Sequence, residues 1–186
     1  MTDTTLFDLL ERLSSLTRIW FRQHPLLAEL QPIQLSALMY LARCNHYSNT
    51  PLGVTDYLGL TKGTVSQSLK ALEERQWIYK QPDARDKRIV HLKPTAEGKA
   101  IAQQLMAVQV LQQDMQQLGP EQEQQLSNGL QQLLTQIQQQ QQRKSFGVCH
   151  SCRFHQQQDG RPFCGLTRQP LPDSAITLIC REHQNS

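Results

Sequence analysis

The chain has 186 residues and a formal net charge of +3, enough for one domain of about 140 residues plus an extension. Asp3, Asp8, Glu11, Arg12 and Arg18 interrupt every early apolar run, which argues against a secretion signal or a membrane span, so the expected location is cytoplasmic. No Walker loop, dinucleotide fingerprint or Ser/His/Asp arrangement occurs, and the chain is expected not to be an enzyme.

Leu6, Leu9, Leu10, Leu13, Leu16 and Ile19 form an apolar face that predicts a first helix ending near His24 and Pro25. A second helix is expected from Pro32 to about Cys44. Thr50 and Pro51 then cap a short helix through Leu58, Gly59 closes it, and Thr61 opens another after a tight turn, which is helix-turn-helix grammar. In this last helix, expected to reach about Gln76, Val65, Leu69 and Leu72 make a stripe that faces a core. Its opposite face carries Gly63, Gln67 and Lys70, flanked by Thr64 and Ser66. These short polar side chains suit close approach in a major groove, with Gln67 able to pair with an adenine edge.

Trp77, Ile78 and Tyr79 lead into a strand, and Ile89 to Leu92 read as its return. Between them, Pro82 to Arg88 form a turn with Arg85, Lys87 and Arg88 at a projecting tip that can reach phosphates and a narrow minor groove. From Thr61 to Lys99 the chain holds nine Lys or Arg against five acids, a surplus larger than that of the whole chain. The basic footprint is therefore local, as a DNA-reading face requires.

Thr95 caps a long helix ended by Gly119 and Pro120, and Glu121 begins another through about Arg143. Gln fills 18 of the 40 positions from 103 to 142, which raises the possibility of a disordered tract. Leu105, Val108, Leu111, Met115 and Leu118, then Leu126, Leu130, Leu133, Leu134 and Ile137, keep helical spacing through the glutamines. Only Gln138 to Gln142 lack an apolar anchor and read as a fraying end or linker.

The block TKGTVSQSLKALEERQWI, the wing pattern Asp83-x-Arg85-Asp86-x-Arg88 and the run Leu92 to Gly98 resemble the winged helix-turn-helix of the MarR (multiple antibiotic resistance regulator) family. The similarity in helix order extends over about residues 3 to 143. It implies base contacts around Lys62, Thr64, Ser66, Gln67 and Lys70, and minor-groove contact from Arg85, with Lys87 beside it and Asp86 or Arg88 bracing the wing. It also implies a homodimer on double-stranded DNA whose flanking helices pair with those of a second chain, although an intramolecular bundle explains the same stripes. Many family members carry Arg at the position of Gln67, so the resemblance does not supply the operator sequence. Any small-molecule effector is unspecified.

Family members ordinarily end before Phe146, where this chain continues with Cys149-x2-Cys152-x11-Cys164-x15-Cys180. About forty residues of modest apolar content are too few to fold alone, and a reducing cytosol disfavours disulfides. Four thiolates satisfy a tetrahedral metal or hold an iron-sulfur cluster, so Cys149, Cys152, Cys164 and Cys180 are the expected ligands. Zinc is slightly favoured as the commoner occupant, with an iron-sulfur cluster as the alternative. His150, His155 and His183 read as surface residues or as supports to the ligands, and Cys44 as a small buried thiol.

The expected fold is mainly α, a winged helix-turn-helix with a two-stranded wing, a helical dimerisation region and a small metal- or cluster-stapled lobe. Residues 1–30 hold the first dimerisation helix, 31–94 the DNA-binding region, 95–145 the later dimerisation helices and 146–186 the lobe. The expected function is a transcriptional regulator, acting as a repressor on an inverted repeat and sensing metal or redox state through the lobe. Two rivals are a DNA-recruited protein whose zinc lobe docks a partner, and a thiol-disulfide enzyme using Cys149 and Cys152. The second rival lacks the strand-to-helix context its motif needs.

Overall fold

The protein is described from a computed structural model covering residues 5–23, 30–106, 117–141 and 143–185. The expected helix end at His24 and Pro25, and the stripe positions Val108, Leu111 and Met115, lie outside the described residues.

Helices α1 (Leu6–Gln23) and α2 (Pro32–Arg43) precede the helix-turn-helix pair α3 (Pro51–Leu58) and α4 (Lys62–Glu74). The caps fall where the sequence placed them. Thr50 Oγ1 accepts from the Gly53 N–H at 3.1 Å, Gly59 ends α3 in the left-handed region at φ 65°, and Thr61 Oγ1 accepts from the Thr64 N–H at 3.3 Å. Helix α4 stops at Glu74, short of the expected Gln76, because Gln76 turns into the left-handed region at φ 59° and throws the chain toward the wing.

Strands β1 (Ile78–Pro82) and β2 (Val90–Pro94) form the wing, paired antiparallel from Ile78 opposite Pro94 to Pro82 opposite Val90. Both run further than the sequence suggested, to Pro82 and Pro94. A two-stranded ribbon is all edge, so proline is tolerated at its ends. Thr95 then ties the wing to α5 (Ala96–Met106), donating to the Gln76 carbonyl at 2.8 Å and accepting from the Gly98 N–H at 3.1 Å. Gly98 lies so close to the Trp77 carbonyl that a Cβ would clash with backbone.

One core joins α2, α3, α4, the wing and α5, with Leu38, Tyr40, Val54, Val65, Leu72, Ile78 and Leu92 almost wholly buried. The predicted stripe of α4 lies inside it. By contrast, α6 (Pro120–Gln140) has no buried residue, and Leu126, Leu130, Leu134 and Ile137 are exposed along it, as are Leu6, Leu9, Leu13, Leu16 and Ile19 along α1. Helix α6 continues through Gln138 to Gln140, so much of the glutamine run expected to fray is helical.

The tail folds into two small sheets. Strand β3 (Gly147–Val148) pairs with β7 (Ile179–Cys180), and β4 (His155–Gln158), β5 (Arg161–Cys164) and β6 (Gln169–Pro170) form a three-stranded meander. This lobe leans on the head formed by the helix-turn-helix and the wing. Phe146 enters the main core edge-on to Tyr40 and Tyr57, at centroid distances of 6.0 and 5.2 Å, while Ile179 packs against the same cluster. The apolar surface that the tail lacks is thus supplied by the head.

Candidate nucleic-acid interface and cysteine cavity

On α4, Lys62, Ser66, Gln67 and Lys70 all face solvent with Gly63 between them. Thr64 is half-buried, and its hydroxyl shares a 2.9 Å hydrogen bond with Thr61 in the helix cap. Lys70 stands 3.7 Å from Glu74, a loose exposed pair that leaves its ammonium available. Lys80 on β1 joins Lys62, Ser66 and Lys70 around a surface cleft of about 480 Å³, a basic residue the sequence reading did not single out.

The wing turn is held by Asp83, whose carboxylate accepts from the Arg85 N–H at 2.7 Å and the Asp86 N–H at 2.8 Å. These donors, first Asp86 and then Arg85, together with the His91 side chain, hold the Asp83 carboxyl at about 2, well below its usual value. Arg88 pairs with Asp86 at 2.7 Å, whereas Arg85 is exposed and makes no ion pair among the described residues. Lys87 is exposed beside it. The resemblance implied a bracing Asp86 or Arg88, and the two brace the wing as a pair.

A link missed in the sequence joins wing and head. His91 contacts Asn49 Oδ1 through Nδ1 at 2.6 Å and Asp83 Oδ2 through Nε2 at 3.1 Å, while the Leu92 N–H donates to the Asn49 carbonyl at 2.7 Å. Nothing local marks Asn49, because its partners lie more than forty residues downstream.

The tail brings all four predicted cysteines together. Cys149 opens a short helical turn, Cys152 ends it, Cys164 closes β5 and Cys180 closes β7. They line one cavity of about 60 Å³, walled by Tyr47, Phe154, Leu166 and Leu171. Burial, followed by the neighbouring Cys180, Cys164 and Cys152, pushes the Cys149 thiol up to about 11. Among the described residues, no three His, Cys, Asp or Glu side chains converge closely enough to coordinate a single ion. Burial pushes Cys44 up to about 12, and it packs against the main core as an inert thiol.

The histidines divide. His150 is exposed and bonded to the Ile176 carbonyl, and His183 is buried between the Ser145 and Ser151 hydroxyls at 3.2 and 3.1 Å. His155 lines the cysteine cavity with a buried Nε2 that has no hydrogen-bond partner.

Residues 28–89, the stretch from the start of α2 to the wing, match the model of the MarR family. This segment is similar to the MarR-family winged helix. The chain is similar in fold to the S. aureus MepR–DNA complex, with 24% identity, a TM-score of 0.58, and coverage of 71% of this chain and 98% of MepR. It is likewise similar to Streptococcus pneumoniae FabT in complex with DNA, at 20% identity and a TM-score of 0.56 over 73% of this chain and 99% of FabT. The transcriptional regulator SlyA aligns at 20% identity and a TM-score of 0.57, over 73% of this chain and 97% of SlyA. No curated protein matches the chain. The MarR-type fold expected from the sequence is borne out, mainly helical with a short antiparallel wing. No described helix is long and apolar enough to cross a membrane.

Proposed function

We propose that the chain is a sequence-specific transcriptional repressor that binds an inverted repeat as a homodimer and carries a metal or cluster in its C-terminal lobe. The observation that carries this reading is the exposed face of Lys62, Ser66, Gln67 and Lys70 on α4, set beside a braced wing that leaves Arg85 unpaired. One element offers hydrogen bonds to base edges and the other a cation to the minor groove. MepR and FabT are seen in complex with DNA, which supports the same use here.

Homodimerisation follows from the apolar stripes of α1 and α6. Leucines exposed in series along each helix leave an apolar face in water on an isolated chain, and a second copy covers such faces isologously. Two reading heads then sit about one helical turn of DNA apart. A dimer seated across a promoter excludes other proteins from it, which is the physical basis of repression. A thiol-disulfide enzyme is the weaker reading, since Cys149 is buried and its thiol is pushed up rather than down.

Selection from random duplexes, followed by footprinting, tests the reading. The expected result is a palindrome protected over two successive major grooves on one face. Recovery of no palindrome, or sedimentation of the full chain as a monomer, overturns it.

A further inference from the structure

A single zinc ion binds four thiolates at about 2.3 Å, which draws the sulfurs around one point and leaves no interior. Cys149, Cys152, Cys164 and Cys180 are arranged differently, spaced around a cavity of about 60 Å³ with apolar walls. His155 adds a second sign. Its buried Nε2 lacks a hydrogen-bond partner at the edge of that cavity, and buried polar groups are ordinarily paired. Inorganic sulfide is an acceptor for such a group, and hydrogen bonds to cluster sulfurs are a recurring feature of iron-sulfur sites.

The position of the cavity gives its contents a mechanical role. Cys180 sits between two clamps on the loop joining α2 to α3: the Ile179 carbonyl accepts from the Asn45 N–H at 2.9 Å, and the Arg181 N–H donates to Ser48 Oγ at 2.8 Å. The Arg181 guanidinium reaches Asp56 on α3 at 2.7 Å. Tyr47, a wall of the cavity, donates to Gln169 Oε1 at 2.5 Å. The same loop holds the wing through Asn49 and caps α3 through Thr50.

We propose that the four cysteines ligate an iron-sulfur cluster, and that the cluster keeps the lobe clamped on the α2–α3 loop and so holds the reading head in its DNA-binding form. Assembly takes ferrous and ferric iron and sulfide from solution and releases the thiol protons to solvent. Loss of the cluster loosens β7 and the loop, and the head then has to be ordered at the expense of binding. The regulatory half of the proposal rests on the DNA-binding reading above.

The full chain, purified without oxygen and reconstituted with ferrous and ferric iron and sulfide, is assayed for iron, acid-labile sulfide and zinc. Iron and sulfide in equal amounts, with a broad visible absorption, are expected. Zinc without sulfide, or no metal at all, overturns the cluster. Titration of the selected duplex should then show about tenfold weaker binding after chelator stripping, within the usual range of coupling between sites. Equal affinities overturn the clamp. A ligand variant such as Cys164→Ser would also remove a wall of the cavity, so Arg181→Ala is the decisive variant. It should keep its iron and sulfide yet lose the response to stripping, and an undiminished response overturns the route through Arg181. A loaded protein that binds no duplex overturns the DNA reading while the cluster assignment stands.

Discussion

The winged-helix head and the C-terminal lobe are built on opposite principles. The head closes a core from regular elements whose apolar stripes meet, with Leu38, Leu72 and Leu92 fully buried. The buried residues of the lobe's own cluster are Cys149, Leu171 and Ala175, and it gains further apolar cover by inserting Phe146 and Ile179 into the head. A small domain too poor in apolar residues to stand alone can thus be part of a larger core and still present its own site. For this chain the consequence is that the cysteine cavity shares a loop with the helix-turn-helix.

The sharpest way to break that comparison is Phe146→Ala. Truncating a buried aromatic costs about 3–5 kcal/mol, and here the loss should appear in the head's own unfolding midpoint together with new protease cleavage after Arg143. An unchanged midpoint for the head would show the two regions to be independent.

Gly147→Ala probes the lobe from inside. A Cβ there would stand 2.6 Å from the His183 ring, so overpacking of about 1–3 kcal/mol is expected in amide exchange of the lobe, with the core of α2 and α4 unaffected. Uniform loss of protection across both regions would mean that even this contact is shared.

In the head, Gln67→Ala and Arg85→Ala should differ in kind. The first should relax preference at one base pair per half-site by about 1–3 kcal/mol, measured on a series of single-base duplex variants. The second should weaken binding on all sequences and flatten its salt dependence. Identical effects would remove the division of labour between α4 and the wing.

The smallest effect is a pH dependence of the wing. The Asp83 carboxyl is lowered to about 2 in the folded chain, so its contribution is present above the ordinary carboxylate value and is lost as pH falls through about 2. Chemical shifts of the Arg85 and Asp86 amides should follow that titration, and Asp83→Asn should abolish it. Amides that titrate near 4 would show that the turn does not hold its carboxylate.

Much of the head was legible in the sequence because its signals are short-ranged. Thr50, Thr61 and Thr95 cap the helix that follows each of them, Gly59 ends one by turning left-handed, and Val65, Leu69 and Leu72 share a face at helical spacing. The strands were visible too, but their ends were misjudged, since pairing decides where a ribbon stops. The hydroxyl bond between Thr61 and Thr64 in the cap is likewise a local contact, three residues apart.

The sequence by itself determined the helix order and the wing, because capping and periodicity act over a few residues. Tertiary structure alone decided that the cysteines surround a cavity, that Asn49 and His91 join the wing to the helix-turn-helix, and that Arg181 reaches Asp56 from 125 residues away. Contacts of that span depend on the path of the whole chain, which leaves no periodic trace in the residues that make them.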